Sequence, residues 1–184
     1  MIEGLKYIGG PTGGIPERIF DLSTPRGRIE GVSKKELYYE ISPVHLTLGV
    51  VGESSPPRFQ AWVDDEILYL NIQNKGENNQ GQRHPDIYAT KLAKRFVQHV
   101  KENGQNIKKF SDGWMFFSDN YKQFNAYLNT LEAVCPTTSD DAKVAALSTV
   151  SGKLATSLGY DKVELRGDWR SEMKVSVDFM PSNR

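Results

Sequence analysis

The 184-residue chain has one cysteine, Cys135, which excludes an internal disulfide framework and a cysteine-built zinc cluster within one molecule. Long apolar runs are also missing. The longest ("ILYL", "WMFF" and "VAAL") fall far short of the roughly 18 residues that span a bilayer. The amino terminus "MIEGLKYIGG" lacks a basic start followed by an apolar block. Neither membrane insertion nor a classical export signal is therefore expected. An excess of one charge is absent as well: 23 Lys and Arg balance 23 Asp and Glu. Whole-molecule attraction to nucleic acid or anionic lipid is not supported, so any anion site must be local. The three histidines, His45, His84 and His99, match no metal spacing, and no cofactor motif is complete, so no cofactor or metal is expected.

What is present is enough for a core: 38% of residues are hydrophobic and 10% aromatic. Residues 1–31 are dense in glycine and proline and read as a leader or wrapped arm, with residues 32–184 as a single α+β domain. "ELYYEI", "HLTLGVV" and "RFQAWVDDEILYLNIQ" predict a four-stranded antiparallel meander with Asp64 and Asp65 at a hairpin. After the polar loop "NKGENNQGQRHP", apolar residues at Ala89, Leu92, Ala93, Phe96, Val97 and Val100 predict a helix from about Asp86 to Glu102. "IKKF" predicts a short strand. Ser118 or Asp119 then caps a second helix from about Asn120 to Ala133, and a third runs from Asp141 to Leu158, stopped by Gly159. "KVELRG" and "MKVSVDF" close the chain as a β-hairpin. Strands, helices and strands in that order indicate an α+β layer fold rather than a doubly wound parallel sheet.

Several motifs resemble sites without completing one. In "STVSGKLATSLGYDKVEL" the Ser-Gly-Lys has no earlier glycine at the spacing of a phosphate loop, and Leu154 follows Lys153 where Ser or Thr is needed. Ser148, Ser151 and Gly152 are therefore expected to let another backbone come close. "GGPTGG" opens no helix and carries no following lysine.

Charge is concentrated between Arg83 and Lys109, where seven basic residues face only Asp86 and Glu102. His84, with Arg83, Lys91 and Arg95, has the composition needed to hold and cleave a phosphodiester without metal: a base, an acid and cations to stabilise the phosphorane. The competing reading of those cations is a solvated helix face. His99 reads as a half-buried packing residue, and Cys135 has no visible activating partner. Trp62 and Trp169, with Arg166 beside the final turn, are candidates for contact with a protein partner.

The carboxyl half, through "IKKFSDGW", "SDNYKQFN" and "DAKVAALSTVSGKLATSLGYDKVE", resembles the closing modules of bacterial polymorphic toxin proteins of the YD-repeat (rearrangement-hotspot) kind. The likeness runs over about residues 107–165 and is carried by Trp114, Asn120, Phe124, Ala145, Ala146, Thr149, Gly152, Lys153, Gly159 and Val163. These are mainly packing and turn residues, so the resemblance implies a context rather than a chemistry. It implies an effector domain delivered as part of a larger secreted protein, acting in the cytoplasm of a target cell, with a cognate immunity protein as partner. Within that context three functions stand: a metal-independent nuclease acting on RNA through His84, Arg83, Lys91 and Arg95; a non-catalytic protein-binding module; and an NAD-consuming transferase or glycohydrolase.

Overall fold

A computed structural model describes residues 15–21, 24–53, 57–73, 86–171 and 173–182. The fold is α+β, and the chain divides into two compact units, one of Met1–Asp64 with Leu70–Asn106 and one of Asp65–Tyr69 with Ile107–Arg184.

In the first unit the strands β1 (Arg26–Glu30), β2 (Glu36–Ser42), β3 (His45–Val50) and β4 (Phe59–Asp64) form an antiparallel meander, extended by the end of β5 (Ile67–Ile72). Alternation in β2 buries Leu37, Tyr39 and Ile41, while the central strand β3 is buried from Leu46 to Val50. The turn into β5 is made by Asp65 and Glu66, both at positive φ (48° and 61°), the geometry of a tight hairpin and one residue later than the expected Asp64-Asp65. Helix and strand also occur inside the glycine-rich arm. α1 (Ile15–Asp21) buries Ile15 and Ile19, and β1 follows it.

α2 (Ala89–Glu102) buries Leu92, Ala93, Phe96, Val97 and Val100 and packs against α1. It starts three residues after Asp86, where it was expected. The Asp86 side chain does not cap it: the carboxylate is buried and accepts from Ser33 N (3.1 Å) and Ser33 Oγ.

In the second unit the start of β5 pairs parallel with β6 (Lys109–Met115). β6 pairs antiparallel with β8 (Lys174–Met180), and β8 antiparallel with β7 (Lys162–Arg166), so the order is β5-β6-β8-β7. Trp114, Phe124 and Phe179 form its aromatic centre, with ring centroids 5.7 Å (Trp114–Phe124) and 6.5 Å (Trp114–Phe179) apart. α3 (Asp119–Glu132) is capped by Ser118, one of the two caps expected, and Asp119 is its first residue.

The helix expected over 141–158 is two helices, α4 (Ser139–Ser148) and α5 (Val150–Ser157), which makes five helices among the described residues rather than three. Thr149 makes the break. With φ −68° and ψ 170° it leaves the helical region; its hydroxyl donates to Ala146 O (2.7 Å) at the end of α4 and accepts from Gly152 N (3.0 Å) at the start of α5. Among the described residues no helix is long and apolar enough to cross a membrane.

Candidate partner-binding surface

Along β6, Phe110, Asp112 and Trp114 point to the helix-packed face, and Lys109, Ser111, Gly113 and Met115 to the other. The strand ends at Met115. Ser118 N donates to Met115 O (2.8 Å), closing a four-residue turn directly into α3, where Ser118 Oγ accepts from Tyr121 N (3.2 Å). Phe116 and Phe117 fall inside this turn, so neither the strand's buried face nor the helix's buried stripe takes them in. They are 53% and 63% exposed and meet edge to face at 5.4 Å. Phe116 N donates to Met173 O (3.1 Å), which places Met173, 65% exposed, alongside. Met115 adds a fourth exposed apolar side chain.

Hydrogen bonds hold this surface in shape. Tyr121 Oη donates to Ser171 O (3.1 Å), tying α3 to the β7–β8 loop. In the same loop Arg170 donates through Nη2 to Thr137 O (2.8 Å), and its guanidinium lies 4.2 Å above the Trp169 ring. Beneath the turn, the Asp112 carboxylate accepts from Gly113 N (2.7 Å), Trp114 Nε1 (2.6 Å) and Ser151 Oγ (2.5 Å). Asn120 closes the network: its Nδ2 donates to Ser151 Oγ (2.6 Å) and its Oδ1 accepts from Ser151 N (3.1 Å). Burial pushes the Asp112 carboxyl up, against the hydrogen bonds from Ser151, Trp114 and Gly113, and no cation pairs with it among the described residues.

The sequence-predicted candidates are scattered. Arg83 and His84 lie outside the described residues. Lys91 is exposed, with its ammonium 5.5 Å from the centre of the Tyr88 ring. Arg95 Nη1 donates to both carboxylate oxygens of Glu102 (3.2 and 3.0 Å), and its guanidinium lies 4.8 Å over Phe20. The Arg95 hydrogen bond draws Glu102 below the usual carboxylate range. Arg95 is thus engaged within the first unit's own α1–α2 packing. His99 packs there too, its ring 5.0 Å from Phe20 and its Nε2 3.2 Å from Ser42 O.

Trp62 is half-buried in β4 of the first unit, opposite His45. Arg166 and Trp169 belong to the second unit, Arg166 with Nε 3.1 Å from Asp178 Oδ1 and Trp169 under Arg170. Cys135 is exposed, and no cluster of three metal-ligating side chains occurs among the described residues. No family model matches the chain, and no curated protein or solved structure shows significant similarity to it.

Sequence reasoning missed Met115, Phe116 and Phe117 because they fall between the strand expected at "IKKF" and the helix cap, and Met173 because it opens the strand expected at "MKVSVDF". The available signal was Ser118: a helix cap directly after two aromatics puts them in the turn, outside both periodicities.

Proposed function

We propose that this chain is a protein-recognition module in an effector-type protein, and that its second unit meets the partner through Met115, Phe116, Phe117 and Met173. The observation that carries this reading is the exposure of two phenylalanines and two methionines in one turn and its neighbouring strand entry. Contiguous apolar surface of this kind is what monomeric proteins otherwise hide. Phenylalanine supplies large contact area at low entropy cost, and methionine adapts to the facing surface. Because each phenylalanine is already partly covered, burying the rest would contribute about 1–2 kcal/mol apiece, enough for the pair to act as the centre of an interface.

The hydrogen bonds of Tyr121 and Arg170 hold the flanking segments in place before binding, which lowers the ordering cost. A neutral net charge suits a protein partner better than a polyanion. The resemblance of the carboxyl half to toxin modules makes an immunity protein the partner class that fits.

The test is a photo-crosslinking amino acid placed at Phe117, and as a control at Val134, which is also exposed, in a strain carrying the chain's neighbouring genes. The expected result is one stoichiometric adduct from position 117, none from 134, and its loss in Phe116→Asp with the melting temperature unchanged. Growth arrest with RNA cleavage that persists in a Phe116→Asp, Phe117→Asp double variant would overturn the proposal in favour of catalysis.

A further inference from the structure

The face of β6, β8 and β7 turned away from Trp114 and Phe179 carries four cations, Lys109, Lys162, Arg166 and Lys174, against two carboxylates, Glu164 and Asp178. Asp178 is already neutralised: Lys109 Nζ lies 2.7 Å from Oδ2, Arg166 Nε 3.1 Å from Oδ1, and Ser111 Oγ donates to Oδ1 at 2.6 Å. The half-exposed Arg166 makes no hydrogen bond through its Nη groups to a described residue, and the Lys174 ammonium has no partner among the described residues.

The strand register gathers these free donors. Ser176 stands between Gly113 on one side and Arg166 on the other, and Lys174 lies two residues along the same strand face. Diagonal neighbours on a sheet are about 7–8 Å apart, within reach of two long side chains converging on one ligand. Gly113 lies beneath the Lys174 side chain. It is an exposed glycine in the interior of a strand, where glycine weakens the sheet and commonly marks close approach of a ligand or another backbone. A Cβ there would meet only the Lys174 side chain, with Cε at 3.1 Å and Nζ at 3.6 Å. The ammonium therefore hangs over bare backbone. Glu164 pairs with Asp178, two same-face positions along the sheet from Lys174 and next to Arg166 on β7.

We propose that Gly113, Arg166, Lys174 and Ser176 form an anion site that takes a phosphate dianion, either free or as the terminal group of an organic monoester. The dianion presents three terminal oxygens to three kinds of donor: a point-charge ammonium, the planar Nη edge of a guanidinium whose Nε is held by Asp178, and the Ser176 hydroxyl. The missing side chain at Gly113 lets Lys174 lie low over the strand, with its ammonium beside Ser176. The site stands where that sheet face is exposed, at Gly113, Arg166 and Lys174, and does not depend on the aromatic surface.

The experiment is an amide NMR titration of the full chain with inorganic phosphate, with adenosine 5′-monophosphate and with adenosine. Saturable shifts of the Gly113 and Ser176 amides are expected with the first two ligands and not with adenosine. Lys174→Ala and Arg166→Ala should each weaken binding about tenfold, while Lys162→Ala on the same face leaves it unchanged. Equal affinity for both phosphates identifies free phosphate as the ligand, and tighter binding of the nucleotide identifies an organic monoester. Gly113→Val, whose side chain would push Lys174 off the strand, should abolish the saturable shift of the Ser176 amide. If the two amides stay still with both phosphates, or Lys174→Ala titrates like the parent chain, no such site exists.

Discussion

Gly152 packs directly on the backbone of Leu147: a Cβ at position 152 would lie 2.6 Å from Leu147 Cα and 2.7 Å from its carbonyl carbon. The contact is backbone to backbone, so no side-chain rotation relieves it. Gly152→Ala should therefore destabilise the protein by about 1–3 kcal/mol despite alanine's better helix propensity. The neighbouring Lys153→Ala, at an exposed position, should stay within about 0.5 kcal/mol. Urea denaturation of the two variants measures both; equal midpoints would mean that the α4–α5 junction is not tightly packed.

Asp178 and Asp112 should respond to acid in opposite senses. Burial pushes Asp178 up, but the hydrogen bonds from Lys109 and Ser111 and the charges of Arg166 and Lys109 outweigh it and leave its folded pKa below the ordinary 3.8. Its stabilising contribution is thus present above the unfolded value and is lost as pH falls through the folded one. Asp112, raised above 3.8 chiefly by burial, contributes its full share below the unfolded value and loses it as pH rises through the folded pKa. Carboxyl-carbon NMR titration should place the Asp178 midpoint below 3.8 and the Asp112 midpoint above it. In Asp178→Asn the loss of stability on acidification below about pH 4 should be shallower. A reversed order of midpoints would refute the assignment.

Arg58 is 4% exposed and donates to Glu53 Oε2 through Nε (2.8 Å) and Nη2 (2.6 Å), and through Nη1 to Gln73 O (3.4 Å). Arg58→Ala strips the Glu53 carboxylate of these donors and should cost about 2–3 kcal/mol. The double variant Arg58→Ala, Glu53→Ala should lose less than the two single variants summed, because neither charge is then left without its partner. Chemical denaturation of the four proteins in this cycle gives the coupling, and additive losses would show that the pair is not energetically linked.

Much of the fold was legible wherever burial follows a simple period. The α2 stripe from Leu92 to Val100 and the alternation of Val175, Val177 and Phe179 in β8 appear in the pattern of apolar residues alone, and Ser118 is a polar capping residue just ahead of the α3 stripe. The Thr149 break was not, since Ala145, Ala146, Leu154 and Ala155 continue an apolar helical pattern across it. A threonine hydroxyl there serves two helix ends at once, which needs a tertiary fit that no local propensity encodes. Ile15–Asp21 was hidden in the same way, among glycines and prolines whose composition outweighed a short amphipathic turn.

The two surfaces divide along the same line. Residue types alone marked the cations of α2 and of the last turn, because charge and aromatic content are properties of composition. Which of those groups stay free is a matter of pairing across distance. Arg95 is taken by Glu102 seven residues on, and Lys109 by Asp178 sixty-nine residues away, whereas Lys174 is left over the bare backbone of Gly113. The sequence by itself determined the α+β class, the balanced charge and most element positions, through periodicity and capping that act within a few residues. Tertiary structure alone decided that Phe116 and Phe117 face outward and that free donors gather at Gly113. Exposure and convergence depend on strand register and on where a turn interrupts it, and both are set by contacts between segments distant in the chain.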